Sequence, residues 1–131
     1  MTMYNEGSDL LLRTLNSVIK NIAHLCTRNR SKTWGPDSWK KIVVCIVADG
    51  RKVVDPRVLK VLQLMGIYAE VSGKSACDAT GTDGQGVMKD HVAGKETQAH
   101  IFEYTSQIVV SDTGEVGYGS VPVQFMFCLK E

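Results

Sequence analysis

Asp49 and Gly50 stand where a sheet protein places ligand-binding chemistry. They follow seven consecutive apolar residues, 42–48, most of which are β-branched. An uninterrupted apolar run of this kind favours a strand that is buried on both faces. Open α/β sheets bind ligands at the carboxyl ends of such strands, where a carboxylate can accept hydrogen bonds. The pattern predicts a ligand-binding role for Asp49, and a simple turn at 49–50 is the alternative.

The other residues with reactive or metal-binding side chains form no recognisable catalytic or metal site. No serine, cysteine or lysine stands beside a convincing base. The cysteines lack CxxC spacing, which predicts reduced thiols in a cytosolic setting and neither a zinc site nor a disulfide framework. They are Cys26, Cys45, Cys77 and Cys128. The glycine-rich segment 70–98 contains no standard phosphate-binding motif, so it predicts a long surface loop whose acidic residues are solvated.

Composition narrows the class of protein. The chain has 131 residues, 44% hydrophobic and 22% charged, which is typical of one globular domain. Its formal net charge of +1 gives no electrostatic case for nucleic acid or an anionic membrane surface. Strand-like residues stop abruptly at both ends, which predicts a piece cut from a longer protein.

Two helices are expected to position the Asp49 turn. Ser8 as N-cap and apolar residues at three- and four-residue spacing predict an amphipathic helix over about 9–27. Asp55 before Pro56 predicts the start of a second, short helix that Gly66 ends. The basic residues at 28–32 predict a solvated loop, with phosphate contact only weakly signalled.

Three segments are β-prone: 41–48, 98–110 and 121–129. Pro122 is expected at the start or the edge of the last strand, because proline donates no ladder hydrogen bond. Gln124 is the one polar residue of that run and is expected to face a ligand or a partner. The order of elements predicts an α/β sheet with helices packed on it.

Six segments resemble, in the same order, those of fungal chitin synthases, which are family-2 glycosyltransferases. They are TMYNE (2–6), NIAHLC (21–26), SKTWGP (31–36), VADGR (47–51), AHIFEYT (99–105), and PVQ (122–124) with CLKE (128–131). The resemblance covers nearly the whole chain apart from 71–90. The residues around Asp49 and His100 are most similar to those of class III enzymes.

This resemblance implies a partial GT-A (Rossmann-like) domain, truncated at both ends, of which residues 1–131 are the N-terminal, donor-nucleotide-binding part. It implies inverting transfer of GlcNAc from UDP-GlcNAc to a growing β-1,4-linked chitin chain for the fungal cell wall. The parent enzyme would lie in the plasma membrane, held by C-terminal helices outside this chain, with this segment on the cytosolic side. A homo-oligomer is left open. The alternative is a non-catalytic α/β nucleotide-binding or regulatory module.

The matching motifs also imply roles for individual residues. The residues implied to bind the UDP of the donor are Thr2, Tyr4, Glu6, Asp49, Gly50 and Arg51. The residues implied to support the site are His100, Glu103 and Gln124. The catalytic base and the ligands of Mg²⁺ or Mn²⁺ are expected outside this chain. The isolated chain is therefore expected to be inactive and only partly soluble.

Overall fold

The computed structural model describes residues 1–50, 52–68, 84–92 and 95–130. Its regular elements are strands and helices in mixed order, with one short 3₁₀ turn at Ser38–Lys41. The elements are β1 (Thr2–Met3), α1 (Ser8–Cys26), β2 (Val43–Asp49), α2 (Pro56–Leu64), β3 (Gly84–Val92), β4 (Lys95–Val110) and β5 (Val116–Lys130).

The strands form one five-stranded sheet in the order β1-β2-β5-β4-β3. β1, β2 and β5 are parallel, whereas β4 is antiparallel to both β5 and β3. Asp49, the last residue of β2, is the register partner of Lys130 at the end of β5. The carboxyl ends of the three parallel strands therefore meet at one edge. The predicted α/β sheet with packed helices is confirmed.

Within the residues that the structure describes, helices cover one face of the sheet. Within β2, Val44, Ile46 and Ala48 are buried, whereas the alternate residues Val43 and Val47 are 50% and 37% exposed. The prediction that this strand is buried on both faces is wrong. Side chains alternate between the two faces of a strand, and an apolar run alone does not specify which faces have neighbours. We call these the covered face and the open face.

The covered face carries the hydrophobic core. Residues of α1 and α2 join the buried side chains of β2, β4 and β5 in one cluster. Tyr68, which follows α2, packs edge-on against Phe102 and Phe127, with ring centroids 5.2 and 5.8 Å apart. The partly buried Trp39 also packs against this cluster.

Of the two N-cap residues predicted from the sequence, the one for α1 is wrong and the one for α2 is confirmed. Gly7, without a side-chain hydrogen bond, is the N-cap of α1, so Ser8 is the first helical residue and not the cap. Asp55 is the N-cap of α2 as predicted, since its Oδ1 accepts from Arg57 N at 2.9 Å. Hydrogen bonds from Arg57 hold the pKa of the Asp55 carboxyl below its usual value. Gly66 follows α2 with a φ of 73°, as its terminating role requires.

The expected loop over 70–98 is wrong where the structure describes it. Residues 84–92 form β3 and pair with Lys95–Glu103 of β4. An antiparallel ladder is held by backbone hydrogen bonds, which a polar, glycine-rich composition does not exclude. Residues 70–83, with Cys77 and three acidic residues (Glu70, Asp78 and Asp83), lie outside the described part of the chain.

The β4–β5 hairpin continues past the sheet as a two-stranded arm. The ladder shifts register after Ser106–Val123 and resumes at Ile108–Tyr118. Pro122 lies at this interruption and before the pairing with β2 begins, so its predicted edge position is confirmed although β5 starts earlier. We call residues 107–122 the hairpin arm.

Candidate functional site

The structure brings two of the predicted binding segments side by side. Thr2 pairs with Val47 and Met3 with Ala48. The residues after β1 therefore leave the sheet next to the Asp49–Gly50 turn that follows β2. We call this region the carboxyl edge. Among the predicted donor-site residues, Arg51 lies outside the described part of the chain.

The segment after β1 forms a tight turn that is closed by a hydrogen bond to the Glu6 side chain. The backbone N–H of Tyr4 donates to Glu6 Oε2 at 2.6 Å. No described residue hydrogen-bonds to the second carboxylate oxygen, so it can accept from a ligand. The Tyr4 side chain is 61% exposed, which leaves its ring available for stacking. Glu6 and Thr2 also line a shallow cavity of about 320 Å³ beside the start of α1.

The turn after β2 is built around a left-handed glycine. Gly50 has a φ of 99°, and its carbonyl accepts from Val53 N and Val54 N, each at 3.2 Å. A Cβ at this position would meet its nearest atom, Lys130 O, only at 3.7 Å. Glycine is therefore favoured by the backbone conformation and not by lack of space. The turn leaves the Asp49 side chain 57% exposed at the edge.

Lys130 is a member of this edge that sequence reasoning did not select. Its Nζ lies 3.4 Å from Asp49 Oδ1, and both side chains are more than half exposed. An exposed ion pair of this kind contributes at most about 1 kcal/mol, so the ammonium can turn to an anionic ligand at low cost. Lys130 belongs to a motif of the family resemblance, but only strand register places it beside Asp49.

The three predicted supporting residues do not assemble at this edge. His100 is half-buried and pairs with Leu129, one residue before Lys130. Gln124 pairs with Val43, six residues before Asp49, which is about 20 Å along the strand. Glu103 and Gln124 instead line a depression of about 300 Å³ on the open face. Of the three, only His100 is near the carboxyl edge.

The basic loop after α1 lies far from the carboxyl edge. α1 begins beside β1 and has 19 residues, so it is about 28 Å long. Arg28, Arg30 and Lys32 follow its other end. The arrangement gives no support to a contact between these residues and a phosphate held near Asp49.

The groups at the carboxyl edge are suited to binding a ligand. It offers two carboxylates, an exposed ring, an ammonium and a close-approach glycine. Within the described ranges, no three or more His, Cys, Asp or Glu side chains are grouped to hold a metal ion. No helix in that same part of the chain is both long and apolar enough to cross a membrane.

Comparison with known proteins covers the whole chain. A family model described as a chitin synthase-like glycosyltransferase domain matches residues 1–131. All 131 residues are similar to chitin synthase 2 of Cryptococcus neoformans var. grubii, at 76% identity over 12% of that protein. Chitin synthase 2 of Mycosarcoma maydis is 54% identical, over 11% of its length. Chitin synthase C of Aspergillus oryzae is 46% identical, over 13% of its length. The chain thus spans 11–13% of the length of these relatives.

Proposed function

Because this chain belongs to the family of chitin synthase-like glycosyltransferases, we propose that it is the donor-nucleotide-binding part of a chitin synthase. The carrying observation is the juxtaposition of the Tyr4–Glu6 turn with the Asp49–Gly50 turn at the carboxyl ends of two parallel strands. This is the position at which open α/β sheets bind nucleotides.

Each residue of the carboxyl edge has a part in this proposal. The exposed Tyr4 ring stacks on the uracil, and the free oxygen of Glu6 accepts from uracil or ribose. Asp49 accepts from the uracil N3–H or a ribose hydroxyl, and Gly50 lets the backbone approach. Lys130 leaves Asp49 to meet the diphosphate. A polar group that reads one base edge discriminates by about 1–3 kcal/mol, because a wrong partner leaves it unsatisfied.

The reaction proposed for the whole protein is inverting transfer of GlcNAc from UDP-GlcNAc to the 4-hydroxyl of a chitin chain. Such a transfer needs a general base, and a divalent cation would stabilise the leaving diphosphate. The described residues do not fit a Mg²⁺ or Mn²⁺ site, so the metal ligands and the base are assigned to the rest of the enzyme. The same proposal places this segment on the cytosolic side of the plasma membrane, with chitin as the second partner.

The test is a donor titration with the full-length enzyme that carries this segment. We expect Asp49→Ala and Glu6→Ala to raise the KM for UDP-GlcNAc by about tenfold each, which corresponds to about 1.4 kcal/mol of lost binding. Activity is measured as incorporation of radiolabelled GlcNAc by membranes, normalised to the amount of enzyme.

Glu115→Ala is the matched control, since it removes an exposed carboxylate on the hairpin arm. Its KM should equal that of the unmodified enzyme. If Asp49→Ala is well expressed and keeps the normal KM and kcat, Asp49 is a turn residue only and the proposed donor site is wrong.

A further inference from the structure

A second concave surface lies away from the carboxyl edge. A groove of about 570 Å³ separates the outer side of α1 from the hairpin arm. Arg13 and Lys20 line it from α1, and Asp112, Tyr118 and Ser120 line it from the arm. None of the described residues proposed to bind the donor lines this groove, which we call the arm groove.

The two walls of the arm groove are held in place by hydrogen bonds. Asn16 of α1 donates from Nδ2 to the carbonyl of Val110 at 3.1 Å, which ties the arm to the helix. Within the arm, Gln107 Nε2 donates to the carbonyl of Gly119 at 2.8 Å. Val110 itself is 2% exposed and belongs to the core. The groove is therefore a preformed feature of the fold.

The helix wall is basic. Arg13, Lys20 and His24 are spaced by seven and four residues, so they lie on one side of α1. Arg28, Arg30 and Lys32 continue the charge past the helix end. None of the five arginines and lysines forms an ion pair with a described residue. Asp112 is the only carboxylate among the described residues that line the groove, so the groove favours an anionic occupant.

The arm wall offers a ring and an unpaired strand edge. Tyr118 is 87% exposed and Val116 is 57% exposed. Tyrosine and arginine are the residue types enriched at energetic centres of protein interfaces. Residues 116–118 and Val123 of β5 pair with β4 on one side. No described strand pairs with residues 116–123 on the other side, since pairing with β2 begins at Gln124. A free edge of this kind can hydrogen-bond an extended peptide.

From these features we infer that the arm groove docks an acidic, extended peptide segment of a partner protein, with an apolar side chain against Tyr118. A concave groove suits a peptide better than the flat surface of a bilayer. A formal net charge of +1 for the chain is too low for a nucleic-acid-binding domain. The inference concerns partner binding and does not depend on the proposed donor site.

The experiment measures binding of a fluorescein-labelled peptide of glutamates around one central leucine, by fluorescence anisotropy. We expect binding that weakens with added salt, and a loss of about tenfold in affinity for Lys20→Glu. Lys60→Glu is the matched control, because it makes the same charge change on the exposed side of α2. Its affinity should stay within about twofold of the unmodified chain.

A second variant tests the apolar contact. Tyr118→Ala should weaken binding by about threefold or more with the same salt dependence, since it removes a ring and no charge. Equal losses for Lys20→Glu and Lys60→Glu would mean non-specific attraction and would overturn the inference. So would tighter binding to phosphatidylserine vesicles or to single-stranded DNA than to the peptide.

The last part of the test uses the full-length enzyme. The detergent-solubilised full-length enzyme should bind the same peptide with similar affinity. If it fails to bind while the 131-residue chain binds, the groove is filled by another part of the same polypeptide and the partner-protein inference is wrong.

Discussion

The covered and open faces of the sheet are built from the same apolar runs, yet they have opposite environments. In β2, Ile46 is fully buried and its neighbour Val47 is 37% exposed. In β5, Phe127 is fully buried and Met126 is half-buried. The comparison shows that side-chain hydrophobicity in these strands does not predict burial. Burial is decided by which face the helices occupy.

The handedness of the connections explains why one face is covered. β1, α1 and β2 form one crossover between parallel strands. A second crossover begins at β2, contains α2 and ends at β3, which is parallel to β2 because β4 is antiparallel to both β5 and β3. Both crossovers advance in the same direction across the sheet. Crossovers between parallel strands are right-handed in nearly all proteins, so two that advance in one direction place their helices on one face. A helix on the open face requires a connection that advances the other way.

The largest expected effect is a difference in stability between two neighbouring substitutions in β5, one on each face of the sheet. Phe127→Ala should lower the free energy of unfolding by about 3–5 kcal/mol, because it opens a cavity among Phe102, Tyr68 and the helices. Met126→Ala, on the open face, should cost about 1 kcal/mol or less. Urea unfolding of the 131-residue chain measures both. Equal costs would mean that both faces of the sheet are packed in solution.

A smaller effect is expected from a pair of neighbours in β4. Ser106 is 9% exposed, and its hydroxyl donates to the carbonyl of Met65 at 2.6 Å. Ser106→Ala leaves that carbonyl without this partner and should cost about 1–3 kcal/mol. Thr105→Ala on the open face is the control and should change stability by about 0.5 kcal/mol or less. A neutral Ser106→Ala would show that water replaces the hydroxyl and that the covered face is wet there.

The smallest effect concerns the start of α2, which covers the sheet. The pKa of Asp55 is lowered by Arg57, so the carboxylate stabilises the fold above its unfolded pKa of about 3.9. That contribution is lost as pH falls through the lower folded pKa. Asp55→Asn keeps the cap and removes the charge. We expect the Tm of the Asp55→Asn variant to be slightly lower than that of the unmodified chain near neutral pH. The two Tm values should converge in acid. A Tm difference that grows in acid would contradict this assignment.

Local features were predictable because they depend on neighbours in the chain. The Asp55–Pro56 start of α2, the apolar stripe of α1 and the end of β2 at Asp49 all follow from short patterns. The grouping of Glu6 with Asp49 was implied by the family resemblance, and the pairing of β1 with β2 brings their two segments side by side. The strand at 84–92 was missed because a glycine-rich, polar segment lacks the alternation that marks a strand.

Side-chain partners across strands were not predictable in the same way. The pairing of Lys130 with Asp49 and the position of Gln124, six residues from the edge, depend on register. A shift of register by one residue exchanges the faces of a strand, and no local pattern in this chain specifies that register. The hairpin arm, which forms one wall of the arm groove, begins at a register interruption between Ser106 and Ile108.

Sequence alone determined the order and type of most elements, the cap of α2 and the placement of Asp49 at a strand end. These depend on backbone preferences and on hydrogen bonds between residues close in the chain. The tertiary structure decided which face of the sheet is buried, which cation meets Asp49, and how the hairpin arm meets α1. Those outcomes depend on packing between residues far apart in the chain, where connection handedness and strand register set the geometry.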